Sequence, residues 1–292
     1  MIRVATTDAD LEVWAAIKNA VMPNEPLSVA ELRVYEKPDR LLLLAELDGA
    51  PAGCAIAAPS SFAGCCFFGP RVLPALRRRG VGTALLRAAS AHARELGRGE
   101  LSANAEVGDE AALAFAARYG LVEIDRQVEL VRALGEEAAP HVPEGVELVS
   151  VAARPELLER AYEVAVATYR DFALPEPVAP EPFEQWAAEE GRLPEGSFVA
   201  LVDGEVVGYS GLVPRDPTPE IAEQGLTAVR RAWRRRGIAT ALKQAVLRAA
   251  AEAGFREIVT WTQGGNEAMI ALNESLGFRV RSGSITLRGP LL

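Results

Sequence analysis

The sequence predicts a mixed α/β fold that is built twice, as two tandem domains. Three observations support this prediction: the chain has 292 residues, one segment recurs after 157 residues, and strands and helices follow the same order in each half. Single domains usually contain about 100–200 residues, so this length suits two. In each half, strand hairpins come first and a β-α-β-α-β run follows, which is typical of a sheet with antiparallel and parallel pairs.

The repeat is clearest in two arginine-rich segments. RRRGVGTALL begins at Arg77 and RRRGIATALK begins at Arg234, 157 residues later. An ungapped comparison of 72–122 with 229–279 gives 19 identities in 51 positions, among them glycines outside the helices. Two helices that are similar only in their alanine-rich composition would not also share glycines outside the helices. The interval of 157 residues is too long for the repeating unit of a solenoid. We therefore interpret the repeat as a duplicated domain.

The junction between the two copies is predicted at 135–144. This segment is polar, contains two prolines and has no apolar periodicity, as is typical of a linker. The first domain then covers 1–134, and the second covers 145–292.

Each half can be divided into elements in chain order. An opening strand, at 2–5 or 146–151, leads to helical stretches, and Pro155 suits the first turn of one of them. Two strands follow, joined by turns at Asp48–Gly49 and Asp203–Gly204. After a further strand and the arginine-rich loop, we expect a long helix (81–96; 238–253), a strand (100–105; 257–262), a short helix (109–119; 266–276) and a last strand.

Composition excludes several classes of protein. With 31 Lys and Arg against 40 Asp and Glu, the net charge is −9, which disfavours nucleic acids and anionic membranes as partners. Cys54, Cys65 and Cys66 form no disulfide framework, and we expect them to be buried in a reducing compartment. Two histidines and three cysteines give no metal-ligand spacing, so no metal is expected.

The start of the chain lacks a cationic segment followed by an apolar stretch, and the sequence has no run of 18 apolar residues. We therefore expect neither a signal peptide nor a membrane span, and we predict a cytoplasmic protein.

The repeated loop can bind an anion. It joins a predicted strand to a predicted helix, whose first-turn N–H groups and positive dipole end attract phosphate. Gly237, and Gly82 or Ala239, let an anion approach the backbone, and three arginines in each copy add positive charge. The spacing matches neither a Walker loop nor a dinucleotide fingerprint. The pattern predicts a cradle for pyrophosphate.

R-x-x-G-x-G/A between a strand and a helix, with N…LGF farther on, resembles the GNAT superfamily of acyl-CoA-dependent N-acetyltransferases. The first half carries this resemblance at Arg77, Gly80 and Gly82. The second half carries it at Thr227, Ala228, Val229, Arg234, Gly237, Ala239, Asn266, Leu276, Gly277 and Phe278.

The resemblance implies two mixed-sheet domains, with acetyl-CoA as co-substrate between the strands on either side of the loop and helix. An amine would attack the thioester directly, and most of the acceleration would come from positioning. The strand around Val229 would offer N–H groups to the thioester, and Asn266 would contact the cofactor. The implied cofactor-binding residues are Thr227, Ala228, Val229, Arg234, Arg235, Arg236, Gly237, Ile238, Ala239, Thr240 and Asn266 in the second half, and Arg77, Arg79, Gly80, Val81, Gly82 and Thr83 in the first.

The sequence departs from the family at the tyrosine that can protonate the leaving thiolate. Asn273 occupies that position in the second half and Ala116 in the first. Asn273 can contact the cofactor or polarise a water, or it can be a residue of the helix surface. We expect Val229, Glu223 and Asn273 to be the catalytic residues of the second half.

The two halves are not equivalent. Asp109 stands where the second half has Asn266, and a carboxylate there would repel an anionic cofactor. Pro70 removes an N–H group from the strand that would bind the thioester. We therefore predict that the second half is catalytic, and both possibilities stay open for the first: a scaffold that holds CoA, or one that does not.

Further candidates surround the second site. Glu220, like Glu223, precedes the thioester-binding strand and can take a proton, and Tyr169 and Asp171 can border the amine pocket beside the proline-rich loop 174–182. We expect Trp186, Trp233 and Trp261 to be packing residues.

We predict an N-acetyltransferase that acts on the primary amine of a small molecule, either as a monomer with internal pseudo-symmetry or as a homodimer. The alternative is a CoA-binding or regulatory module without turnover, which the missing tyrosine favours. A nucleic-acid protein that uses the arginine loops is a weaker third reading, which the net charge opposes.

Overall fold

A computed structural model describes residues 1–23, 26–34, 37–169, 180–215 and 218–292, and its elements confirm the mixed α/β class. The residues form two compact units: Met1–Ile124 with Ile285–Leu292, and Asp125–Ser284. Each unit therefore includes strand residues from the other half of the chain. The predicted boundaries at 134 and 145 follow the sequence repeat, and they stay a prediction.

The sheet of the first unit has the strand order β1, β2, β3, β4, β5 and the second part of β12. Its strands are β1 (Ile2–Val4), β2 (Leu41–Leu47), β3 (Ala50–Pro59), β4 (Cys65–Val72), β5 (Glu100–Glu106) and β12 (Arg279–Pro290), and its helices are α1 (Asp8–Val21), α2 (Val29–Val34), α3 (Val81–Glu95) and α4 (Glu110–Arg118). The parallel pair β4–β5 extends only from Cys65–Glu100 to Phe67–Ser102.

In the second unit the strand order is the first part of β12, then β6, β11, β10, β9, β8 and β7. The strands are β6 (Val122–Ala133), β7 (Glu147–Ser150), β8 (Phe198–Val202), β9 (Glu205–Pro214), β10 (Ile221–Val229) and β11 (Glu257–Gln263), and the helices are α5 (Leu158–Tyr169), α6 (Phe183–Glu190), α7 (Ile238–Glu252) and α8 (Glu267–Ser275).

The second sheet is covered on both faces. Ile238 and Leu242 of α7 pack against Val207 and Val229 on one face. Tyr209 and Ala228 point to the other face, where they pack with Trp186 of α6 and with residues of α5. This alternation follows the two-residue period of a strand, and it places α7 and α5–α6 on opposite sides of β9 and β10.

Cys54, Cys65 and Cys66 are fully buried, as predicted. Burial raises the pKa of the Cys54 thiol to about 12 and so keeps that thiol protonated. None of the helices in the described ranges is long and apolar enough to span a membrane.

Candidate active site

The candidate site of the second unit lies where β10 and β11 separate. Their parallel pairing ends at Glu223 and Val259, and the Thr260 hydroxyl then donates to Gln224 O at 3.0 Å. Beyond that bridge, residues 225–229 of β10 form no ladder with β11. We call this open edge the seam.

Main-chain donors of β10 point into the seam. Arg230 N–H donates to Val207 O at 2.8 Å, so the alternation of an antiparallel ladder turns the N–H groups of Val229 and Thr227 away from β9. Between Gln224 and Thr227 the register with β9 shifts, which leaves Gly225 and Leu226 opposite Gly211 in a β-bulge. The bulge brings irregular backbone to the start of the seam.

The arginine loop leads from this strand to α7. Gly237 has φ 81° as the N-cap, and no side chain caps the helix, so the first-turn N–H groups stay available. Arg235 has φ 64°, a left-handed conformation that is unfavourable for arginine. Arg234 to Gly237 are exposed. The loop is therefore a surface-facing nest of N–H groups, as the sequence predicts for an anion cradle.

The arginines around the nest have different contacts. Arg234 Nε donates to Val229 O at 2.9 Å, which ties the loop to the end of β10. Arg236 lies over the Trp233 ring, 4.6 Å from its centroid. From the linker, Pro143 reaches the nest, since a methyl group at Gly237 would lie 3.4 Å from its Cγ.

Two carboxylates lie on the α5–α6 side of β10. Glu190, the last residue of α6, accepts the Tyr209 hydroxyl at 2.7 Å and the N–H of Leu226 in the bulge. A side chain at Gly211 would collide with this carboxylate, and a methyl group at Gly225 would lie 3.1 Å from its Oε1 atom. Burial raises the pKa of Glu190, the two hydrogen bonds lower it, and Glu223 raises it further.

Glu223 lies within β10 and not before it, contrary to the sequence prediction. Burial raises the pKa of its carboxyl, Arg215 lowers it, and Glu129 raises it. Arg215 itself is bound to Glu129 at 2.6 Å. Within the described residues Glu223 therefore has no ion pair, and its carboxyl keeps a proton to a higher pH than an ordinary glutamate.

On the α7 side, the seam is bordered by a buried polar network. Lys243 of α7, 1% exposed, donates to Gln224 Oε1 at 2.8 Å. Gln224 Nε2 donates to Ser210 Oγ at 3.2 Å, and Ser210 and Thr227 share a hydrogen bond of 2.9 Å. The hydrogen bonds pair the neutral groups, but a buried ammonium whose partner is a neutral amide is still costly, so Lys243 indicates a requirement other than stability.

Asn273 belongs to this polar border and not to the helix surface. Its side chain is fully buried, and Nδ2 donates to Thr262 Oγ1 at 3.0 Å. The Oδ1 atom is buried without a hydrogen-bond partner. A buried carbonyl without a hydrogen bond lowers the stability of the fold by about 1–3 kcal/mol. A bound ligand that donates a hydrogen bond to Oδ1 would remove this cost.

The first unit has the same loop but a different seam. Gly80 has φ 86° as an uncapped N-cap, Arg78 has φ 63°, and Arg77 Nε donates to Val72 O at 3.2 Å. The β3–β4 register has no bulge, and the Leu73 N–H bond to Ala52 O turns position 70 toward the seam, where proline has no N–H. This seam therefore has fewer main-chain N–H donors than the seam of the second unit.

Three residues of the first loop already contact other side chains. A methyl group at Gly82 would lie 3.2 Å from the Phe115 ring, and the Thr83 hydroxyl bonds the Tyr119 hydroxyl at 2.7 Å. Arg79 forms an ion pair with Asp48 at 2.8 Å.

The contrast between Asp109 and Asn266 has a local explanation. Each is the N-cap of its helix: Asp109 Oδ1 accepts Ala112 N–H at 2.9 Å, and Asn266 Oδ1 accepts Met269 N–H at 3.2 Å. Aspartate and asparagine are equally good N-caps, so this exchange need not reflect cofactor binding.

Other predicted residues lie farther from the seam or outside the described ranges. Glu220 is exposed beside Arg256, and Trp261 is 37% exposed, so Trp261 is not a core residue. Tyr169 ends α5, and burial, with Glu181 and Glu190, raises its pKa to about 12. Asp171 and 174–179 lie outside the described residues.

Glu190 and Lys243 are not among the site residues that the sequence predicts. Glu190 gives no signal because it ends a short helix and reaches the bulge only through the fold. Lys243 did carry a signal, since the repeat places it where the first half has Leu86.

Comparisons with known proteins identify the family of the chain. The profile of the acetyltransferase (GNAT) family matches 12–121 and 158–278, one region in each half. The chain is 29% identical over 228 residues to a mycothiol acetyltransferase of Paenarthrobacter aurescens, which covers 75% of this chain and 68% of that protein. A second mycothiol acetyltransferase, of Amycolatopsis mediterranei, is 33% identical over 90 residues, which is 30% of its length.

Solved structures share the fold over the whole chain. A GCN5-related N-acetyltransferase of Sphaerobacter thermophilus has a TM-score of 0.81 at 23% identity, covering 100% of this chain and 95% of its own. A tandem GNAT protein from the clavulanic acid biosynthesis pathway has a TM-score of 0.74 at 23% identity, covering 100% of this chain and 98% of its own. With the profile matching both halves, the chain belongs to the acetyltransferase (GNAT) family as a tandem enzyme of the acyltransferase class.

Proposed function

We propose that the protein transfers the acetyl group of acetyl-CoA to the primary amine of a small molecule, and that the second half performs the reaction. One observation supports this most: the nest of residues 234–240 and the N–H groups of Thr227 and Val229 border one open seam. Together they can hold a pyrophosphate at one end and a thioester at the other.

The chemistry needs few groups. With the thioester carbonyl at the seam, the Val229 N–H can stabilise the oxyanion that develops as an amine attacks, and one such donor is worth roughly 3 kcal/mol. The bulge and Glu190 lie on the face from which the amine would approach. A partly buried carboxylate there attracts a cationic amine and can remove its proton.

We propose that Glu190 and Glu223 share proton removal from the amine. Burial raises the pKa of both carboxyl groups, so each loses its proton at a higher pH than an ordinary glutamate. Only the deprotonated carboxylate can act as a base, and activity should therefore rise with pH as these groups lose their protons. We expect Glu190→Gln and Glu223→Gln each to lower kcat/KM at pH 7 by about 10- to 100-fold and to flatten the acidic limb of the pH profile.

The matched control for this experiment is Glu189→Gln, because Glu189 neighbours Glu190 on α6 and its side chain is 71% exposed. It should retain wild-type kinetics. If Glu190→Gln and Glu223→Gln both keep the wild-type rise of kcat/KM with pH, neither carboxylate is the base.

The experiment for the overall function is thiol release from acetyl-CoA with a panel of small primary amines. Turnover with at least one amine supports an enzyme, and CoA binding by calorimetry without any turnover supports a regulatory module. We further propose a cytoplasmic protein, which acts as a monomer or a homodimer without a nucleic-acid or membrane partner.

A further inference from the structure

We propose that Lys243 is the proton donor to the departing CoA thiolate, in the role that the missing tyrosine leaves open. The proposal depends on the proposed acetyl transfer, and it starts from a buried ammonium group on the α7 side of the seam that the mechanism above does not use.

The contacts of Lys243 connect it to Asn273. Lys243 Nζ donates to Gln224 Oε1, and the main-chain oxygen of Gln224 accepts the Thr260 hydroxyl. Thr260 and Thr262 lie two residues apart on β11, so their side chains share one face of the strand. Thr262 in turn accepts Asn273 Nδ2. Lys243 and Asn273 are therefore connected through residues of β10 and β11 at the point where these two strands separate.

The first half shows that the fold does not require these polar groups. Through the repeat and the matching strand pairs, the polar positions of the second half correspond to buried apolar residues of the first, namely Leu86, Phe68, Ala55, Ala103, Ala105 and Ala116 for Lys243, Gln224, Ser210, Thr260, Thr262 and Asn273. One copy of the fold packs well without any of them. Their presence in the other copy indicates a chemical role.

Lys243 has hydrogens available for that role. Within the described residues Gln224 Oε1 is its one hydrogen-bond acceptor, and the ring of Phe278 lies 5.7 Å from Nζ. No described carboxylate neutralises it. The charged groups of the surrounding elements face elsewhere: Glu223 projects from the other side of β10, Glu257 bonds Arg281, Arg248 bonds Glu252, and Glu267, Glu274 and Arg279 are exposed.

The proton balance of the step is complete. The amine nitrogen bonds to the acetyl carbon, the carbon–sulfur bond breaks, and its electron pair goes to sulfur. Lys243 gives sulfur a proton and becomes neutral. The proton that the amine loses to Glu190, Glu223 or water restores the ammonium through solvent, so the sum is acetyl-CoA plus amine to N-acetylamine plus CoA.

The acidity of the donor suits this transfer. Burial lowers the pKa of Lys243 to about 7, below that of an ordinary thiol at roughly 8.5. A proton therefore moves favourably from Nζ to the thiolate. Because the donor must be protonated, wild-type kcat should fall as pH rises above about 7.

The test is Lys243→Met, which keeps the length of the side chain and removes the proton. We expect kcat with acetyl-CoA to fall about 100-fold, the KM for acetyl-CoA to change less than about threefold, and the decline of kcat above neutral pH to disappear. With the acetyl ester of seleno-CoA, whose selenolate is a much weaker base, most of the loss should be recovered. Leu86→Met, at the equivalent position of the first half, should behave as wild type.

Two outcomes would overturn the proposal. One is a Lys243→Met variant with near-wild-type kcat. The other is an equal loss with the thioester and the selenoester, which indicates a structural role. If wild-type protein itself releases no thiol with any amine, the proposed function fails first, and the role of Lys243 fails with it.

Discussion

Ala239→Glu should abolish acetyl-CoA binding by the second half while leaving the fold intact. Ala239 occupies the first turn of α7, where a glutamate is favourable for the helix because it meets the positive dipole end. The same carboxylate would stand in the nest that we assign to the pyrophosphate. At about 4 Å near a protein surface, two like charges repel by roughly 4 kcal/mol, so affinity should fall at least about 100-fold.

Calorimetric titration with CoA measures this effect, and Ala239→Gln is the matched control because it has the same size without the charge. We expect one CoA per chain for wild-type protein, about one for the glutamine variant and none for the glutamate variant. If the wild-type chain binds two CoA molecules and Ala239→Glu still binds one, the first half also holds the cofactor. Unchanged affinity in Ala239→Glu would mean that the cofactor does not use this nest.

The sequence predicted the parts of the fold that depend on local signals. Asp48–Gly49 and Asp203–Gly204 turn the hairpins, and both nests form where RRRG joins strand to helix. These features follow from backbone geometry that a few residue types impose. The repeat strengthens these predictions, because the same order of elements is predicted from each half of the sequence.

The residues that sequence reasoning misplaced depend on strand pairing. The β-bulge at Gly225–Leu226 is a one-residue extension of β10 relative to β4, and its effect appears only once β9 lies beside it. From the sequence, Asn273 could be either a site residue or a residue of the helix surface. Only the packing of α8 in the fold shows that its side chain is buried. Arg234 was assigned to the cofactor, yet part of its hydrogen-bonding capacity serves the end of β10.

The sequence also does not predict that each unit includes strand residues from the other half of the chain. Residues 127–133 of β6 pair with β11 of the second unit, although the repeat assigns them to the first half. Residues Ile285–Leu292 join the first unit. The alternating pattern of a strand shows which of its faces is buried, but it does not identify the partner strand.

Lys243→Met should also stabilise the protein at low pH, although it is expected to damage catalysis. Burial lowers the pKa of Lys243 from 10.5 to about 7, which corresponds to a penalty on the order of 5 kcal/mol for keeping the ammonium in the folded state. The variant leaves Gln224 Oε1 unpaired at a cost of about 1–2 kcal/mol. Below pH 7 we therefore expect a net gain of roughly 3 kcal/mol in the free energy of unfolding.

The pH dependence identifies the cause. Between the folded pKa of about 7 and the unfolded value of 10.5, the unfolded chain binds more protons at Lys243, so this residue makes wild-type stability rise with pH by up to about 1.4 kcal/mol per unit. The advantage of Lys243→Met should shrink over this range and reverse slightly near pH 10. Denaturant unfolding at pH 6, 8 and 10 measures it, with Leu86→Met as the control whose effect stays constant. A Lys243→Met effect that is equally independent of pH would show that Lys243 binds as many protons in the folded protein as in the unfolded chain. Its pKa would then not be lowered, and the ammonium would be a weaker acid than a thiol and a poor donor to the leaving thiolate.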